Sequence, residues 1–97
     1  MPTYVTLARW TSQGLQNIKE SPSRLDAARK LFEASGVRLR DFYMVTGRYD
    51  FVFVTEAPDD AALARATLSI TSKGNLTTET LRAFTEDEYR KIIGGLQ

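Results

Sequence analysis

Gly47-Arg48-Tyr49-Asp50 is the densest group of chemistry-bearing residues in the sequence, a glycine followed by a cation, a phenol and a carboxylate. At the mouth of a hairpin, a guanidinium and a carboxylate suit a small polar ligand, because loops on a rigid sheet are where ligand groups gather. The same residues have structural uses. Gly47 supplies the positive φ that hairpin turns often need. Asp50 accepts hydrogen bonds from turn amides or pairs with Arg48, and Tyr49 packs at a subunit contact. Thr80 and Arg82 form a second candidate pair. If Leu81 and Ala83 face the helices, this pair faces a dimer interior, where Arg82 needs a carboxylate or a bound anion. Its alternative is a rim ion pair with Glu79, Glu86 or a partner residue. Trp10 lines a pocket with Tyr4, Thr6 and Tyr43, or serves as a packing or dimer anchor.

Other chemistries are closed to this chain. It contains no Cys and no His, which excludes disulfides, thiolate catalysis, Cys-based zinc or iron–sulfur sites and the Ser/His/Asp and Cys/His arrangements. Carboxylates, Lys, Tyr, Thr and Ser remain. Asp59-Asp60 and Glu86-Asp87-Glu88 resemble metal-binding runs, but acidic residues in the first turn of a helix serve capping and the helix dipole. Gly14, Gly36 and Gly94-Gly95 lack the surroundings of a phosphate loop. No metal and no cofactor are expected.

The elements that position these residues follow from spacing. Tyr4 to Trp10 alternates as a strand, and Gln13 to Glu20 carries Leu15 and Ile18 at helical spacing. Ser21-Pro22 restarts the chain as a helix, with Ser23 and Asp26 as a possible capping box and Leu25, Ala28, Leu31 and Phe32 on its core face. Lys19, Arg24, Arg29 and Lys30, mixed with acidic neighbours, read as its solvated face. Gly36 ends it. Val37 to Val45 and Tyr49 to Thr55 form a hairpin about Thr46-Gly47-Arg48. Pro58-Asp59-Asp60 opens a helix continuing through Leu63, Ala66, Leu68 and Ile70, and Gly74-Asn75 stops it. Leu76 to Phe84 is a fourth strand. Thr85 with Glu88 is a capping box for a last helix presenting Tyr89, Ile92, Ile93 and Leu96.

The order βαββαβ with a C-terminal helix is the signature of an α+β, ferredoxin-like antiparallel sheet. Helices cover one face of such a sheet. Here both faces are apolar, with Phe42, Phe51 and Phe53 alternating with Tyr43, Val52 and Val54, so a second cover is needed and a homodimer or higher homo-oligomer is expected.

Ninety-seven residues fit one domain, residues 1–97. With 42% hydrophobic residues the chain has enough apolar surface to fold. Thirteen basic against twelve acidic residues, interspersed to a net +1, is not the footprint of a nucleic-acid binder. The first residues lead straight into the alternating segment without a signal-peptide pattern, and no apolar run reaches bilayer-spanning length. A cytoplasmic protein with no membrane partner is expected.

Val45-Thr46-Gly47-Arg48-Tyr49-Asp50-Phe51-Val52 and Thr78-Glu79-Thr80-Leu81-Arg82-Ala83-Phe84-Thr85-Glu86-Asp87-Glu88, with Tyr4-Val5-Thr6-Leu7 and Trp10-Thr11, resemble the GYD-domain family over nearly the whole length. That resemblance implies a dimeric α/β barrel and brings little functional knowledge. The Thr-Gly-x-Tyr-Asp hairpin also resembles, more distantly, the ligand-sensing domain of leucine-responsive and asparagine-type regulators. It implies a small-molecule site at a subunit interface involving Gly47, Tyr49 and Asp50, with Thr78 and Thr80 as weaker matches. No helix-turn-helix accompanies it here. Three readings follow: a stand-alone homodimeric sensor for a small metabolite, a cofactor-independent oxygenase or isomerase with Trp10, Tyr43 and Asp50 around an aromatic substrate, and a structural assembly module.

Overall fold

A computed structural model describes all residues 1–97. The elements are β1 (Thr3–Trp10), α1 (Ser12–Gln16), a single 3-10 turn (Ile18–Glu20), α2 (Ser21–Ala34), β2 (Arg38–Met44), β3 (Phe51–Glu56), α3 (Asp60–Thr71), β4 (Leu76–Ala83) and α4 (Glu86–Gly94). The strands form one antiparallel sheet in the order β2-β3-β1-β4. This is the ferredoxin-like arrangement expected from the element order.

Local chemistry accounts for the boundaries. Asp59 caps α3 by accepting from the Ala62 amide at 2.8 Å. Thr85 and Glu88 form the anticipated capping box of α4. Gly36, Gly47 and Gly74, with φ of +76°, +132° and +83°, end α2, turn the hairpin and end α3, where side chains would be strained. The Ser23/Asp26 box is absent, since α2 follows directly from the 3-10 turn and its N-cap, Glu20, makes no side-chain bond.

Register assigns the faces. Tyr4, Thr6 and Ala8 of β1 and Phe51, Phe53 and Thr55 of β3 are buried beneath α2 and α3. Phe32, Leu63, Ala66 and Ile70 meet them from the helices. Leu68, grouped with this face in the periodicity, points outward at 64% exposure. The opposite face carries Val5, Leu7, Val52 and Val54 at its centre and Leu81 and Tyr43 toward its edges. No element of the chain covers it, and Leu81 and Tyr43 are 48% and 61% exposed.

Helix α4 projects away. Its apolar residues Tyr89, Ile92 and Ile93, and Leu96 just beyond its end, are all exposed. The radius of gyration is 14.7 Å, against about 12–13 Å for a compact chain of this length. Glu88 fixes its start, and the Glu88 carboxyl lies below its usual range, chiefly through the Thr85 backbone amide with help from the Thr85 hydroxyl and Arg82, although burial opposes this.

The chain closes tightly where α1 meets the loop before β4. The Thr11 amide donates to the Asn75 carbonyl at 3.0 Å, and a Cβ on Gly14 would lie 2.1 Å from that same oxygen. Gly14→Ala therefore forces two backbone segments apart and is expected to destabilise by about 1–3 kcal/mol. Thermal denaturation should show this as a melting temperature lowered by at least about 4 °C, whereas Ser12→Ala on the exposed side should leave it unchanged.

Candidate functional site

The hairpin connection is longer than the three-residue turn read from the sequence. It spans Val45 to Asp50, so Tyr49 and Asp50 belong to the loop. Asp50 holds that loop to β1: its amide donates to the Ala8 carbonyl at 2.8 Å, and its Oδ2 accepts from the Trp10 amide at 2.9 Å. It serves backbone rather than Arg48. The carbonyl of Asp50 also accepts from the Val45 amide at 2.9 Å, closing the base of the loop.

That anchoring sets Tyr49 over the uncovered face. Its hydroxyl donates to Glu79 Oε2 at 2.6 Å, and the Arg9 guanidinium lies 4.9 Å from the centre of its ring. Arg9 Nε in turn donates to the Arg48 carbonyl at 2.6 Å. Leu7, Arg9, Tyr49, Thr77, Thr78 and Glu79 line a shallow depression of about 200 Å³. The Tyr49 phenol is raised above its ordinary value, first by its hydrogen bond to Glu79, then by desolvation and the Glu79 charge, with Arg9 and Arg48 opposing. Neither Arg9, Arg48 nor Glu79 belongs to a salt bridge. One guanidinium and one carboxylate thus meet at the Tyr49 ring without pairing to each other, and Arg48 joins them through its backbone carbonyl.

The other sequence candidates lie elsewhere. Thr80 and Arg82 pair across β1 with Thr6 and Tyr4, so they share the helix side and Leu81 and Ala83 face outward, the reverse of the face proposed for them. The Thr80 and Thr6 hydroxyls are 3.1 Å apart. Arg82 sits at the far end of the sheet from the hairpin, over the rings of Tyr4 and Phe84 at 5.7 and 4.5 Å, and its ion partner is Glu88 at 3.9 Å rather than Glu79 or Glu86. It also donates to the carbonyls of Thr3 and Ala83. Nearby, Tyr4 donates to Asp60, a bond that is the main cause of its raised phenol pKa, followed by burial.

Trp10 and Tyr43 do not share a pocket. Trp10 packs on Phe51 on the helix side, with ring centres 5.6 Å apart, while Tyr43 pairs with Val52 on the uncovered face. The grouping of Trp10, Tyr43 and Asp50 around an aromatic substrate is therefore not formed. Arg9 and Glu79 escaped the sequence reading. Their signal lay in register: Glu79 stands opposite Leu7, and Arg9 follows Leu7 by two on the same strand face.

A family model for the GYD domain matches residues 4–93. The chain belongs to the GYD-domain family. It is 40% identical over 84 residues, spanning 86% of this chain and 88% of the relative, to a Thermus thermophilus protein named glutamine synthetase and cystathionine beta-lyase binding protein. Among solved structures, MtbAldR superposes with a TM-score of 0.67 at 14% identity, over 88% of this chain and 52% of that one. A feast or famine regulatory protein from M. tuberculosis, complexed with L-methionine, superposes with a TM-score of 0.63 at 17% identity, over 90% and 54%. These two share the fold, and this chain spans about half of their length.

The Tyr49–Glu79 contact has a pH signature. A phenol whose folded pKa exceeds its unfolded value adds stability that is present below about pH 10 and is lost as pH rises through the folded value. Glu79→Ala should lower the Tyr49 ionisation pH, followed through the ring carbon resonances of Tyr49, and should remove that contribution; an unchanged Tyr49 titration would mean the hydrogen bond is not made in solution.

Proposed function

We propose that this GYD domain is a homodimeric small-molecule-binding module, and that its ligand is a zwitterion of amino-acid type received at the hairpin. The observation that carries this is the convergence of Arg9, Tyr49 and Glu79 at the edge of the uncovered sheet face, with Arg48, next to Tyr49 in the chain, as the proposed second cation. Guanidinium groups complement a carboxylate, preferably in paired geometry. Glu79 and the Tyr49 oxygen complement an ammonium group. Leu7 offers an apolar floor for a side chain. A second copy laid over Val5, Leu7, Val52, Val54 and Leu81 removes that patch from water and turns the open depression into an enclosed one, where the same charges act more strongly. The complex of a fold neighbour with L-methionine supports the ligand class.

A second reading is favoured by the relative that is 40% identical over most of both chains and is named for binding two enzymes. In that reading the domain docks on enzymes of nitrogen and sulfur amino-acid metabolism. The two readings are compatible, since a bound amino acid could bias such docking.

Isothermal titration with each of the twenty L-amino acids tests the first reading. At least one is expected to bind, with Arg9→Ala and Glu79→Gln each weakening it by about tenfold or more. Binding by none of them, or binding indifferent to both substitutions, would refute it. Co-purification with glutamine synthetase and cystathionine β-lyase tests the second.

A further inference from the structure

The helix side of the sheet contains a cavity distinct from the hairpin depression. It lies between α2 and the sheet, with a volume of about 90 Å³, and twelve of its sixteen lining residues are apolar. Trp10, Phe42 and Phe51 form its aromatic wall, with ring centres 5.6 Å apart for Trp10 and Phe51 and 5.3 Å for Phe42 and Phe51. Leu25, Ala28 and Leu31 of α2 form the roof and are only half-buried. Well-packed interiors hold few voids larger than a water molecule, and an apolar void of about 150 Å³ is able to take up benzene. A space somewhat smaller than that suits a branched hydrocarbon group of about four or five carbons.

Its polar lining is one-sided. Arg24 and Lys73 both line the cavity, whereas no Asp or Glu does. The charge pattern puts Arg24 on the solvated face of its helix, but it is half-buried, and one of its terminal nitrogens donates to the Gly14 carbonyl at 3.1 Å, which holds the guanidinium in place. Neither cation forms a salt bridge. The hairpin cluster combines cations with Glu79 and so complements a zwitterion. This site has no carboxylate to pair with an ammonium group, its other polar residues being the neutral Ser21 and Asn75.

We infer that the cavity between α2 and the sheet is a second binding site, for a short monocarboxylate with an apolar tail and no amino group. The tail occupies the space beneath Ala28 against Trp10 and Phe42, and the carboxylate meets Arg24 and Lys73. The inference does not depend on the hairpin reading, because its residues lie on the other side of the sheet.

Trp10 is the only tryptophan in the chain, so its fluorescence reports on the site. Titration with 4-methylpentanoate is expected to give a saturable change, with 4-methylpentanamide and L-leucine at least about tenfold weaker as quenchers or enhancers of the same signal. Arg24→Gln should weaken the acid by about tenfold. Ala28→Leu fills the space and should abolish binding with the circular dichroism of the fold retained. Intermolecular nuclear Overhauser contacts between the ligand methyls and the rings of Phe42 and Phe51 locate the ligand in the unmodified protein, whatever the variants do. The proposal is overturned by no saturable response up to millimolar acid, by equal affinity for acid and amide, or by ligand methyls that show no contact with those two rings.

Discussion

One side of the antiparallel sheet is roofed by α2 and α3, and the other presents Val5, Leu7, Val52, Val54 and Leu81 to whatever lies beyond the chain. Transfer of contiguous apolar surface from water is the main favourable term in both folding and association, and large exposed patches on small domains mark interaction surfaces. The perimeter of this face is charged. Arg38 and Arg40 approach Glu56 at 3.8 and 3.7 Å at one corner, and Arg9 and Glu79 stand at the opposite end. An apolar centre with a polar rim is the anatomy of a protein interface. The projecting α4, with an apolar stripe that touches none of its own core, suits an association in which each copy reaches beyond its own sheet.

The candidate chemistry follows from where this face meets the hairpin. Asp50 places one carboxylate oxygen on the Trp10 amide and its own amide on the Ala8 carbonyl, so it acts as a strut that aims Tyr49. Tyr49 then lies under Arg9 and against Glu79, two residues brought there by β1 and β4. Rigid strands supply the charges and the loop supplies the phenol. The hairpin depression and the aromatic-walled cavity lie back to back across the sheet, with Arg9 and Thr77 on one side and their chain neighbours Trp10 and Leu76 on the other.

Element order was legible because the punctuation is strong: Thr85 with Glu88, Asp59, and glycines at Gly36, Gly47 and Gly74 each perform the backbone task their type suggests. The two-sided apolar pattern of β2 and β3 was legible for the same reason, since alternation fixes which residues share a face. The orientation of β4 was not. Leu76-Thr77-Thr78-Glu79-Thr80-Leu81-Arg82-Ala83 has no clear apolar side, so only pairing with β1 could show that Thr80 and Arg82 lie under the helices. The sequence pattern runs the strand back to Tyr49 and Asp50 because an aromatic beside Phe51 fits the β alternation, whereas the bonds of Asp50 to β1 place both residues in the loop. Arg9 and Glu79 were invisible as a pair, since they are far apart in sequence and meet only through strand register.

Sedimentation equilibrium of the intact chain and of Val54→Lys puts the uncovered face to the most direct test. A two-subunit species is expected for the unaltered protein at micromolar concentration and a folded single subunit for Val54→Lys, whose charge sits at the centre of the apolar patch. A well-folded single subunit for the unaltered protein, or an oligomer indifferent to Val54→Lys, would contradict it.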